Sequence, residues 1–293
     1  MLRKFLYSFG FRVTWMLPLK AGYVVSDILG VLNFLLARTS RNNLTQNLQA
    51  IFPDKPKKEI RRIVLKNYIN FGRNLTELFR MHRTDKHTIT SRIDMDSTSI
   101  IQKHRDLSST VIIATAHFCN WELSAAVITE ILGELHSIAL PDPDPAIDSF
   151  YVRAREAIDN YTVPLNNASR LCLRLLKQNR PLAILADRSY TGEGMDMEFF
   201  GRQCTFPTGV ARFALMADVP IIPYFIIRTG TGKFRALTYE PLDIPENGSR
   251  DDKIRDILRQ YIDILEKLIS SYPEFWFAFY PFWEESPPGA HKF

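Results

Sequence analysis

Residues 111–133, VIIATAHFCNWELSAAVITEILG, constrain this chain more than any other stretch. The first six are small or apolar and rich in β-branched side chains, the signature of a strand buried on both faces. A helix follows at once. Leu123, Val127 and Ile131 recur at four-residue steps, Ile128 and Leu132 widen the stripe, and Gly133 stands where helices commonly stop. Between strand and helix lies His117-Phe-Cys-Asn-Trp-Glu122, which puts an imidazole at a strand's carboxyl end and a carboxylate in the first helical turn. A carboxylate on one ring nitrogen fixes the tautomer and raises the basicity of the other, as a general base requires. The spacing alone carries little, since six His and 32 acidic residues in 293 give about 0.7 such pairs by chance. Its place on a strand-to-helix crossover, where α/β sheets gather their ligand chemistry, carries more. His117 and Glu122 are therefore expected to touch and act together, with Asn120 opening the helix beside them.

The same strand-then-polar-loop pattern recurs. Residues 181–186 read as a buried strand delivering Asp187-Arg188, and residues 219–227 as another ending at Arg228, a cation suited to holding a phosphate or polarising a carbonyl oxygen. Residues 135–140 read as a strand ended by the proline-rich 141–145, and 233–239 as an edge strand. Residues 150–160 are amphipathic and carry Arg153 and Arg155, and helices are expected at 169–178, 208–217 and 252–271. Gly192, Gly194 and Gly201 suggest a mobile loop, in which Phe199 and Phe200 form either an apolar wall for a ligand or part of the core. Two more helices, broken at 53–56, fill 38–81 and read as packing elements. This order argues one α/β domain, a mostly parallel central sheet flanked by helices, over residues 41–293.

Residues 1–40 are the most apolar part and are expected to associate with a membrane. The apolar stretch 21–37 is short of the roughly 20 residues a spanning helix needs, and Asp27 at its middle costs about 3 kcal/mol on the insertion scale. A helix or helical hairpin lying in the interface is the better reading. The net charge of +5, scattered without a long basic run, demands no nucleic acid and suits an anionic membrane surface. Three cysteines without CxxC or His-rich spacing argue against a disulfide framework and a zinc site, so no metal or prosthetic group is expected. Cys119, two residues from His117, is kept as an alternative thiol nucleophile.

His117-Phe-Cys-Asn-Trp-Glu-Leu123, together with Phe199-Phe-Gly201 and Pro273-Glu-Phe-Trp276, resembles the late acyltransferases of lipid A biosynthesis, lauroyl and myristoyl transferases of the lysophospholipid acyltransferase superfamily. The resemblance implies an N-terminal membrane anchor, a glycerolipid-acyltransferase-like fold, and a place at the cytoplasmic face of a bacterial inner membrane. It implies acyl transfer from an acyl carrier protein or coenzyme A thioester to a hydroxyl of a membrane lipid, lipid A or a related glycolipid, with His117 as base and Glu122 orienting it. It also carries Arg155, Asp187, Phe199, Phe200, Gly201 and Arg228 over as substrate-site positions. The chain departs from the family in four places. The Gly expected a few residues after Arg155 is absent, with Asp159 and Asn160 in its region. Cys119 replaces a small residue, usually Gly; Arg188 stands where Gln is usual and would pair with Asp187, bind a substrate acid or cap the loop. The basic run after Pro-Glu-x-Trp is replaced by Tyr280-Pro-Phe-Trp283 and two glutamates. That last departure leaves open other polar-lipid acceptors, such as phosphoinositol mannosides or amino-acid lipids, and, in another class, a catalytically silent membrane-surface binder.

Overall fold

The computed structural model describes residues 10, 14, 16–81, 83–107, 110–189 and 192–283; the expectations for residues 1–9, and for the two glutamates at 284 and 285, lie outside them. In chain order the helices are α1 (Leu19–Leu36), α2 (Arg38–Ile51), α3 (Lys57–Met81), α4 (Lys86–Thr90), α5 (Ser99–Asp106), α6 (Trp121–Leu132), α7 (Pro145–Glu156), α8 (Ala168–Lys177), α9 (Gly209–Ala217) and α10 (Arg250–Ser271). The strands are β1 (Ile93–Asp94), β2 (Ile112–Thr115), β3 (Leu135–Ala139), β4 (Asn160–Pro164), β5 (Leu182–Leu185), β6 (Met195–Phe199), β7 (Arg202–Phe206), β8 (Ile221–Gly230) and β9 (Lys233–Thr238).

Seven strands form one sheet in the order β1-β9-β8-β2-β5-β3-β4. The five from β8 to β4 run parallel, and β9 turns back antiparallel on β8. The mostly parallel, helix-flanked α/β sheet is thus the one the sequence pattern indicates. The central strand β2 has every side chain buried, which is why it reads as an unbroken apolar run. The chain leaves β2 toward β3 on one side and later returns to β8 on the other, so β2 ends at the point where strand order reverses, the usual crevice of such sheets.

Two features depart from the sequence reading. Asn160–Pro164, of which the sequence reading assigns only Asn160, as the end of an amphipathic segment, is the edge strand β4. Its terminal Asn and Pro look like loop residues, and an edge position is where a strand tolerates proline. The glycine-bearing stretch 192–201, expected as a mobile loop, leads into and forms the first strand and turn of a separate hairpin of β6 and β7. Phe200 and Gly201 are its two turn residues, with φ of 50° and 72°; both positive, as a two-residue turn matched to strand twist demands.

Helix α1 lies along α3. Gly30 packs against the backbone at Tyr68 and Ile69, and Gly72 against the Ser26 carbonyl, so a side chain at either glycine would meet backbone. Asp27 makes a two-pronged ion pair with Arg73, at 2.7 and 2.6 Å. The opposite face of α1 exposes Val24, Ile28, Leu29, Leu32, Leu35 and Leu36.

Candidate active site

The pairing of β2 with β5 is in register at a constant offset of 70 residues, from Ile112 opposite Leu182 to Thr115 opposite Leu185. Continued two residues beyond the strands, that register sets His117 beside Asp187. The contact is made twice. His117 Nδ1 lies 2.9 Å from Asp187 Oδ1, and the His117 backbone N–H donates to Oδ2 at 3.0 Å. Asp187 is buried and His117 nearly so, at 3% and 8% exposure, in surroundings that screen their interaction little. The Tyr261 hydroxyl of α10 donates to the Thr115 carbonyl at 2.7 Å, tying the end of β2 to that helix. Burial first, and then the Asp187 charge, push the Tyr261 phenol well above its ordinary range, so it stays a neutral donor.

The expected His117–Glu122 contact is therefore corrected. Glu122 is held by Arg155, with Arg155 Nε to Oε2 at 2.9 Å and the second prong to Oε1 at 2.6 Å. Burial alone would lower the Arg155 pKa; the carboxylate beside it outweighs that and raises it. The physical reason for the correction is helical phase. Trp121 takes the position facing the imidazole, at 5.3 Å between ring centroids and edge to face, while Glu122, one residue later on the helix, turns toward α7 and its Arg155.

Asn120 caps α6, its Oδ1 accepting from the Leu123 N–H at 3.0 Å while its amide donates to Glu77 at 2.6 Å. Arg228, expected at the substrate, sits in a buried pair with Glu77 instead: one guanidinium nitrogen reaches Glu77 Oε2 at 2.9 Å and Asn74 Oδ1 at 2.8 Å. Burial opposes its charge and Glu77 more than restores it, so its pKa is raised. Two residues past the register partner of His117 on β8, Arg228 lies beyond the dyad.

Arg188 is buried and its guanidinium stacks 4.3 Å from the centre of the Tyr280 ring. Phe199 is wholly buried among Phe206, Trp276, Phe282 and Trp283. Of its two readings, the core is the one these surroundings match. Phe200 is half-buried and anchors the hairpin by donating its N–H to Glu266 at 2.7 Å.

Cys119 has a φ of 47°, the left-handed region that favours glycine, and its side chain is fully buried. Desolvation pushes its thiol up to about 12, against a smaller opposing pull from Arg228. A thiol so held is not a nucleophile near neutral pH. The bend is clamped by the closing motif, since the Cys119 N–H donates to the Phe275 carbonyl, the Phe277 N–H to the His117 carbonyl, and Phe118 bridges Trp276.

Three residues escaped the sequence reading. Asp187 stood only among substrate positions, although its place at a strand end parallel to that of His117 was available evidence. Glu77 and Asn74 were passed over as packing. The signal was a polar stripe at Asn67, Asn70, Asn74 and Glu77, three and four residues apart along a helix otherwise apolar on its inner side.

Comparison with known proteins identifies relatives of the chain. The profile described as "Bacterial lipid A biosynthesis acyltransferase" matches residues 1–285. The phosphatidylinositol mannoside acyltransferase of Mycolicibacterium smegmatis is 21% identical over 244 residues, covering 82% of this chain and 78% of that one. The protein of the same name from Mycobacterium tuberculosis is 22% identical over 221 residues, covering 73% and 68%.

Proposed function

The chain belongs to the bacterial lipid A biosynthesis acyltransferase family, and from that premise we propose that it is an O-acyltransferase in which Asp187 and His117 form the catalytic dyad. The observation that carries this reading is the double contact of one buried carboxylate with the ring and the backbone of His117. With the Nδ1 proton held by Asp187, Nε2 is the basic atom. It takes the proton of a lipid hydroxyl as the oxygen attacks the carbonyl carbon of an acyl thioester. The tetrahedral adduct collapses by breaking the carbon–sulfur bond, and the leaving sulfur recovers the proton from the imidazolium, giving an ester and a free thiol. Asp187 stabilises the imidazolium between the two transfers. Because Arg228 is engaged by Glu77, and the Leu123 and Ser124 amides are taken by Asn120, the oxyanion falls to the backbone amides of Trp121 and Glu122 at the positive end of α6.

The donor is an acyl carrier protein or coenzyme A thioester and the acceptor a hydroxyl of a membrane glycolipid. The aromatic segment in place of the family's basic run supports an acceptor less anionic than a lipid A precursor, and the named activity of the relatives points the same way. The exposed apolar face of α1 supports a helix seated in the membrane interface, at the cytoplasmic face where such thioesters are found. The deciding experiment offers a radiolabelled long-chain acyl-coenzyme A with either mannosylated phosphatidylinositol or a tetra-acylated lipid A precursor in mixed micelles. Labelled glycolipid is expected with wild-type enzyme and at least about 100-fold less with His117→Ala. Equal product from the variant refutes the proposal.

A further inference from the structure

The polar stripe of α3 is a ladder of hydrogen bonds. Asn67 and Asn70 donate to the carbonyls of Pro273 and Glu274, each at 3.1 Å. Asn74 donates to the Cys119 carbonyl, and Glu77 accepts from the Asn120 amide at 2.6 Å. The rungs thus grip both sides of the Phe118–Trp276 bridge on which His117 is mounted. The last rung is ionic, since Arg228 closes over Glu77 and Asn74 together. Tyr23 reaches the same place from α1, its hydroxyl donating to Glu77 and accepting from Arg228 at 2.9 Å. All four side chains are buried or nearly so.

Stability does not account for this arrangement. A buried ion pair loses so much hydration that apolar residues of similar volume often do as well or better. What an apolar pair cannot do is accept the Asn120 amide and hold Asn74 against the Cys119 carbonyl, and those contacts fix the turn between His117 and α6. Tyr23, in turn, arrives only because Gly30, Gly72 and the Asp27–Arg73 pair seat α1 at close range on α3.

We propose that Glu77 and Arg228 are positioning residues for the His117 turn, and that Tyr23 completes them only while α1 is docked, so that seating the N-terminal helix sets the turnover rate. The inference rests on His117 acting as the base.

The test compares full-length wild type, Tyr23→Phe, the double variant Glu77→Met/Arg228→Met and His117→Ala in the labelled-acyl assay, using whichever of the two glycolipids the wild type acylates. The double variant leaves no charge unpaired, but it takes their partners from the Asn120 amide, Asn74 and the Tyr23 hydroxyl, so a lower melting temperature is expected and kcat is read per mole of folded protein. On that basis kcat is expected to fall about 100-fold, the effect of a misplacement near 1 Å, with KM within twofold of wild type. Tyr23→Phe removes one hydroxyl and is expected to lower kcat by about three- to tenfold, again with KM unchanged. If the double variant does not fold, Tyr23→Phe alone decides. Variants with kcat within twofold of wild type while His117→Ala is inactive overturn the inference and leave the dyad standing, as does a kcat loss that only tracks a loss of folded protein. An active His117→Ala overturns the dyad and this inference with it.

Discussion

Replacing Asp187 by Asn separates the two carboxylates that compete for the role of orienting His117. In the native site Asp187 accepts twice, from the His117 backbone N–H at 3.0 Å and from Nδ1 at 2.9 Å. Asparagine has one acceptor and one donor end. If its oxygen keeps the backbone N–H, its NH2 faces Nδ1, which must then give up its proton. The proton moves to Nε2, and the base becomes a donor. In the analogous serine-hydrolase dyad the same exchange lowers kcat about 10⁴-fold, and a positioned base in general contributes about 10² to 10⁴. The expected loss in kcat is therefore about 10² to 10⁴, or roughly 2.7 to 5.4 kcal/mol of transition-state stabilisation. Asparagine fills the same volume, so KM for the acyl thioester and the melting temperature should change little. The assay is steady-state thiol release from long-chain acyl-coenzyme A with saturating glycolipid, with thermal unfolding alongside. Asp187→Asn with kcat within threefold of wild type, in a preparation where His117→Ala is inactive, refutes the dyad.

The other expectations follow from burial, backbone conformation and the exposed helix face. Glu122→Ala or Arg155→Ala leaves its partner buried and unpaired and should cost about 3 to 5 kcal/mol of stability, seen as a lowered melting temperature, whereas Glu122→Leu/Arg155→Leu should restore most of it; equal melting temperatures for single and double variants would sink this. Cys119→Gly should keep full activity and melt no lower than wild type, while Cys119→Val, β-branched at a left-handed position, should destabilise by about 1–3 kcal/mol. With its pKa near 12, the Cys119 thiol is about 10⁻⁴ ionised at pH 8, so iodoacetamide should not label it in the native protein at that pH, and labelling should rise only as the solution is taken toward pH 12 or the chain unfolds. Ile28→Asp/Leu32→Asp removes two exposed apolar side chains, together worth about 3 kcal/mol or more on burial, and should weaken sedimentation with anionic vesicles by about 100-fold; unchanged sedimentation would exclude α1 as the docking face.

The parts of this molecule that were legible in its sequence are those where one local pattern decides. The strands β2, β5 and most of β8 are buried on both faces, and short apolar runs rich in β-branched residues and bounded by polar ones favour a strand over a buried helix. His117 and Asp187 were each visible as strand-end residues, but their contact was not, because it depends on the register between two strands 70 residues apart and register is a property of the sheet. Glu122 misled for a related reason. Its separation from His117 allows contact across a turn, and only the rotation of α6 decides that Trp121 meets the ring while Glu122 meets Arg155. The hairpin at 195–206 was readable in hindsight from the alternation Met195-Asp-Met-Glu-Phe199 and a Gly at the second turn position. Three glycines drew attention to flexibility instead.

The placement of α1 follows from the same pairwise logic. By length and apolar composition it is able to cross a bilayer, and hydropathy alone weighs Asp27 against it at about 3 kcal/mol. In the folded chain Asp27 carries no such penalty, since Arg73 meets it with two hydrogen bonds. Crossing the bilayer would therefore cost far more than the scale suggests. The helix would have to leave α3, breaking the Asp27–Arg73 pair, withdrawing Tyr23 from Glu77 and Arg228, and uncovering the close backbone contacts at Gly30 and Gly72. A helix with its polar and small residues committed inward and its large apolar residues facing out gains most by lying along the interface with that outer face in the lipid. This is also the orientation in which Tyr23 stays seated, so under the proposed interfacial docking the membrane contact and the ionic support of the His117 turn would stabilise each other.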